Sequence, residues 1–192
     1  MKFIRLLSLT FIYLCHFDCF ATDSSSQLII TPHILENFDA VREEKMLRIL
    51  EILEKEVLNS EEFKKRILNH QHNGKFTFVE NEGLSNQEVY EFIMQGRENL
   101  GYGEDFKMDL YLRLYYKDDT AIGHTYPNSR IIWIKSKFFD KLPTYKIAAN
   151  IVHEWLHQLG FSHWRRYERP FSVPYGVGSI VKQMLKRAYS GI

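Results

Sequence analysis

The sequence predicts one α/β (α+β) domain in which strands and helices alternate, built around a long buried helix and closed by a C-terminal amphipathic helix. Three observations carry this. Asp109 to Tyr116 alternates, with Leu110, Leu112 and Leu114 to one side and Tyr111, Arg113 and Tyr115 to the other, the period of a half-buried strand. Met46, Leu50, Leu53 and Val57 recur at helical spacing. The stretch from Thr144 to Leu159 follows Pro143 and stops at Gly160, the punctuation of a helix capped by Thr144.

The chain begins with a candidate leader. Lys2 and Arg5 precede an apolar run from Leu6 to Leu14, and Cys19-Phe20-Ala21 offers small residues for cleavage. Residues 1–21 are therefore expected to be a secretory signal peptide, with a buried helix or a retained anchor as alternatives. The run is too short for a transmembrane helix, so no stable membrane insertion is expected after cleavage. Cys15 and Cys19 both fall in this leader. The exported remainder has no disulfide and no thiolate ligand, and it balances basic against acidic residues because the leader removes Lys2, Arg5 and Asp18. Export without disulfides points to a bacterial periplasm or extracellular space.

The remaining elements follow in order. Thr22 to Gln27 is a polar linker. Ala40 to Leu58 and Glu61 to Asn69 read as helices, the second carrying Phe63 and Ile67 and ending at the turn Asn73-Gly74. Lys75 to Glu80 reads as a strand with Phe76 and Phe78 on one face. Ser85 and Glu88 form a capping box for a helix that shows Val89, Phe92, Ile93, Gly96 and Leu100 on one side. Gly101-Tyr102-Gly103, Lys117-Asp118-Asp119 and Pro127-Asn128-Ser129 are turns or loops. Ala121 to Tyr126 is a short extended piece and Ile131 to Ile134 an apolar strand. The tail breaks at Pro170 and Pro174, and its helix is expected from about Gly178 to Tyr189.

Composition limits the function. With 192 residues, 45% hydrophobic and 26% charged, the chain is long enough to bury a core unaided. Twenty-five Lys+Arg against 24 Asp+Glu give no basic balance favouring nucleic acid and no acidic tail.

Residues 153–163 carry the chemistry. They read His153-Glu154-Trp155-Leu156-His157-Gln158-Leu159-Gly160-Phe161-Ser162-His163, or H-E-x-x-H-x-x-G-x-x-H. On a helix, His153 and His157 are one turn apart and reach one ion. Glu154 is placed to hold the water rather than the metal. Gly160 takes positive φ and turns the chain away, letting His163 swing back. Three neutral histidines with one open position make a catalytic rather than a structural zinc site.

This stretch resembles the metzincin clan of zinc metallopeptidases, closely over residues 147–163 and in outline from about 75 to 175. The resemblance implies Zn2+ ligation by His153, His157 and His163, with Glu154 as general base and acid. It implies a twisted mixed sheet with a backing helix and an active-site helix, and a short lower subdomain. Residues 22–192 then form one domain: a helical segment over 22–70, either a pro-segment or part of the fold, an upper subdomain over 71–160 and a lower one over 161–192. Ala121–Tyr126 takes the place of the edge strand that binds extended substrate. Two departures stand out. The place of the clan's methionine turn holds Phe171-Ser172-Val173-Pro174-Tyr175-Gly176, without methionine, and Trp164 after the third histidine matches no particular family. Tyr175 keeps the position of a tyrosine that, in some families, binds zinc or steadies the oxyanion.

The expectation is a secreted or periplasmic zinc endopeptidase acting on protein or peptide, monomeric and without a nucleic-acid partner. A zinc amidase cutting cell-wall peptide and a catalytically silent zinc-bearing binding protein are the alternatives. Four other histidines read otherwise: His70 and His72 as a solvated turn, His124 as a possible cleft residue, and His33 with no role. Asp118-Asp119 reads as a turn and Trp164-Arg165-Arg166-Tyr167 as a solvated loop.

Overall fold

The central sheet begins inside residues 22–70, the segment the sequence reads as helical. In the computed structural model, which describes residues 27–99, 105–118, 120–126 and 128–189, β1 spans Ile29–Glu36. The expected leader, most of the linker, the Gly101 loop, Leu100, Asp119 and Pro127 lie outside the described residues. β1 pairs in parallel with β4 (Lys107–Tyr115), β4 in parallel with β6 (Ile131–Lys135), and β5 (Gly123–His124) antiparallel with β6, giving the order β1-β4-β6-β5. The fold is thus mixed α/β around a four-stranded mixed sheet, and it ends in a helix, as expected.

β1 escaped the sequence because its pattern does not alternate cleanly. Pro32 lies within it, and the register with β4 shifts between Pro32 and Ile34. A proline without an N–H is tolerated because β1 is an edge strand. The helical segment expected over 22–70 therefore opens with a strand. Leu28, just before it, is fully buried, and its backbone N–H and C=O both bond the Asn59 side chain, at 2.8 and 2.9 Å.

The two N-terminal helices form where their apolar spacing places them. α1 (Ala40–Ile52) starts at Asp39, whose side chain accepts from the Arg42 N–H, and runs on as a wider π-helical turn through Leu53–Leu58. α2 (Glu61–Leu68) is capped by Ser60. Met46, Leu50, Leu53, Val57, Phe63 and Ile67 all enter the same core as the sheet. Burying such side chains stabilises by roughly 1.5–3 kcal/mol each before entropy is counted.

The next segment is less regular than expected. Asn73 and Gly74 both take positive φ and join β2 (Gln71–His72) to β3 (Lys75–Phe76), a two-residue hairpin turn. The strand expected to Glu80 stops at Phe76, which is exposed, whereas Phe78 is buried. The capping box of Ser85 and Glu88 forms and opens α3 (Asn86–Gln95). Gly96 ends that helix in the left-handed conformation, and a Cβ there would stand 1.9 Å from the Lys107 carbonyl oxygen.

β4 buries Met108, Leu110, Leu112 and Leu114 on one face, the alternation read from the sequence. A short helix absent from the sequence expectation, α4 (Ser136–Lys141), follows β6, and Asp140 in it forms a two-pronged pair with Arg42 of α1. α5 (Thr144–Gln158) and α6 (Val173–Tyr189) close the domain. Two details differ from expectation. Pro143, not Thr144, is the N-cap of α5, and no side chain caps it. α6 begins at Val173, five residues early, because a proline is tolerated in the first turn of a helix, where its missing N–H has no partner to lose. Among the described residues, no helix is long and apolar enough to cross a membrane.

Candidate metal centre

α5 sits in the core because Ile147, Ala148, Ile151, Val152, Trp155 and Leu156 cover its inner side. Trp155 is fully buried, and its indole N–H donates to Glu98 Oε1 at 2.6 Å. The same oxygen accepts from the Asp109 backbone N–H at 3.0 Å, which ties the helix to β4. Burial pushes the Glu98 carboxyl up, and those two bonds partly oppose it.

The helix ends at Gly160, whose φ is +100°. A Cβ there would lie 3.1 Å from the Asn99 amide, and the torsion itself is one that side-chain-bearing residues avoid. The Gly160 and Phe161 N–H groups bond back to the carbonyls of His157 and Leu156, and the chain then returns His163 to the helix face.

His153, His157 and His163 converge. One ring nitrogen of each lies within 4.8 Å of the others, and the Nε2 atoms of His157 and His163 are 3.1 Å apart. Nitrogens bound tetrahedrally at 2.0–2.1 Å from one zinc ion stand about 3.3 Å from each other. His157 Nδ1 lies 2.7 Å from the Phe161 carbonyl oxygen and donates to it, which leaves the Nε2 lone pair for an ion. The residues present therefore fit a metal ion held by three imidazoles.

Burial keeps these imidazoles neutral. Burial, with the neighbouring His157 and His163 adding, lowers His153 to about 3, while a hydrogen bond to the Pro174 backbone opposes it. Burial likewise lowers His157 and His163. A metal binds the neutral imidazole, so each shift favours ligation over protonation.

Glu154 lies beside the trio rather than in it. Burial pushes its carboxyl up to about 7, opposed by hydrogen bonds from the Asn150 side chain and the Thr125 backbone. Asn150 Nδ2 stands 3.2 Å from Glu154 Oε1. Asn150 was not singled out in the sequence, although the four-residue spacing to Glu154 is the signal that finds it. Gly123 makes room for it: a Cβ there would meet Asn150 Oδ1 at 2.5 Å and the Trp133 carbonyl oxygen at 2.7 Å.

Tyr175 reaches the site from the first turn of α6. Its ring centroid is 4.5 Å from that of His153 and 4.8 Å from that of His163. The place of the missing methionine is thus a helix start, with Val173 and Val177 buried beneath. Arg169 is a further neighbour; its positive charge bears on His153 and His163, and its guanidinium lies 5.9 Å from the Tyr175 ring.

The remaining candidates fall elsewhere. His70 stacks on Phe78 at 3.9 Å and His72 pairs with Glu168 at 3.3 Å, so the expected solvated turn is a partly buried aromatic cluster. His124 is in β5, stacked on Trp133 and 3.1 Å from the Tyr115 hydroxyl. Asp118 pairs with Lys137 at 2.7 Å. Trp164 and Tyr167 are 85% and 92% exposed, as a solvated loop requires.

An open groove of about 600 Å³ leads from His153 and Glu154 between β5 and α6. The chain matches no protein-family model, no curated protein and no solved structure.

Proposed function

We propose that the protein is an exported zinc-dependent endopeptidase, a divergent member of the metzincin clan. One observation carries this: three neutral imidazoles converge on a point at the head of a groove, with a buried, proton-hungry carboxylate on the same helix facing that groove. A structural zinc site needs no such carboxylate.

His153, His157 and His163 would hold the ion. Bound zinc supplies a Lewis acid that polarises a scissile carbonyl and acidifies water. Glu154, raised towards neutrality by burial, takes the proton of the attacking water and returns it to the leaving amine. Asn150 and the Thr125 N–H fix the direction of the carboxylate. Tyr175 brings a hydroxyl donor for the developing oxyanion to the same rim. β5, the last strand of the sheet, and the Ala121-Ile122 segment that leads into it run along the groove, where an extended peptide adds as a further strand.

The test uses zinc-loaded protein and a proteome-derived peptide library, with Glu154→Ala as the blank and new termini read by mass spectrometry. New termini made only by the wild type support the reading. Their absence from a protein with full zinc content counts against it.

A further inference from the structure

The groove that borders His153 is also lined by two lysines, Lys146 and Lys182. α5 and α6 run antiparallel here. Tyr175 lies against His153, and a Cβ on Gly178 would stand 3.2 Å from the Ala149 carbonyl oxygen, so forward along α6 is backward along α5. Lys146 precedes His153 by seven residues, and Lys182 follows Tyr175 by seven. Seven residues are two helical turns, so each lysine shares a face with its counterpart and stands about 10 Å further along.

All four residues line the one groove, together with Asn150 and Ser179. Among the described residues in that lining, Glu154 is the only acid, and it lies at the histidine end. Lys182 is exposed and Lys146 half-buried, so neither side chain is enclosed by the protein. The far end of the groove is therefore cationic, whereas the whole chain is close to neutral.

We propose that this groove selects substrates by a carboxylate held between Lys146 and Lys182, about 10 Å from the bond that is cut. An extended peptide advances about 3.3–3.6 Å per residue, so that distance is about three residues. The carboxylate is supplied either by an Asp or Glu side chain one or two residues from the bond, or by the substrate's own C-terminus about three residues from it. The inference rests on the peptidase reading for the cut, but the binding is separable from it.

The test is binding of three fluorescent peptides to zinc-loaded Glu154→Gln protein, followed by anisotropy. One has an acidic residue and an amidated C-terminus, one is neutral with a free C-terminus, and one is neutral and amidated. At least one carboxylate peptide binds about tenfold more tightly than the neutral amide, a gap that narrows at high salt. Adding Lys146→Glu and Lys182→Glu abolishes the gap, whereas Lys141→Glu, outside the groove, leaves it intact. The tighter of the two carboxylate peptides identifies the source. Equal binding of all three, absence of binding, or a gap that survives the double reversal overturns the proposal. If the gap behaves as stated but wild-type protein cuts none of the peptides, the peptidase reading fails and the carboxylate site stands. Cutting without a gap has the opposite meaning.

Discussion

Asn150 holds the carboxylate of Glu154 from one helical turn upstream, Nδ2 to Oε1 at 3.2 Å. The bond favours the ionised form and opposes the burial that raises this acid to about 7. Asn150→Ala removes the opposition. The acid limb of kcat/KM, below which Glu154 is protonated and unable to accept a proton, should move to higher pH, and activity at neutral pH should fall about tenfold. A pH–rate profile measures both. An unmoved limb shows that Asn150 does not tune this group.

Glu154→Gln should keep the metal and lose at least about a hundredfold in turnover. The same variant has a stability signature. In the metal-free protein the folded carboxyl titrates at about 7, above its unfolded value, so its contribution is fully present below the unfolded value near 4.5 and is lost as pH rises through 7. Metal-free Glu154→Gln should therefore gain on the wild type between pH 5 and 8, by a difference on the order of 3 kcal/mol. Denaturant unfolding at the two pH values checks this. Parallel behaviour of the two proteins means that Glu154 is not buried as described.

The histidines act in the other direction. His153 is lowered to about 3, and His157 and His163 are lowered too. Their contribution is fully present above the unfolded value near 6.5 and is lost as pH falls. Three such groups outweigh the single Glu154, so metal-free protein should lose stability as pH falls from 6.5 towards 5. His163→Ala should bind zinc more than about a hundredfold more weakly. Full zinc occupancy in that variant, measured by competition with a chelator, removes His163 from the ligand set.

Gly160→Ala forces a side chain into φ +100° beside Asn99. The cost should be about 1–3 kcal/mol, and because the turn carries His163, zinc affinity should fall with it. Thermal unfolding with and without zinc separates the two losses. Equal destabilisation in both states shows that the turn holds the fold but not the metal.

Legibility followed locality. The convergence of the three histidines could be read because all three lie within eleven consecutive residues, and helical spacing with one glycine dictates it. β4 could be read because Leu110, Leu112 and Leu114 alternate with half-exposed residues. β1 could not, because Pro32 and a register shift interrupt it and its place is fixed by a partner more than seventy residues away. The start of α6 was misplaced because Pro174 reads as a breaker, while position within the first turn decides whether a proline breaks a helix. His70 and His72 read as a wet turn because nothing local announces that Phe78 and Phe171 fold over them.

The glycines of α6 act as a spacer gauge. A Cβ at Gly176 would stand 2.8 Å from the Phe78 ring, and one at Gly178 would press on Ala149 and His153. The close approach of α6 to α5 is therefore set by the absence of a side chain at Gly178. One added methyl group at Gly178 would force α6 away from α5 and so shift both helices that line the groove. The groove can therefore change shape through residues that carry no functional group.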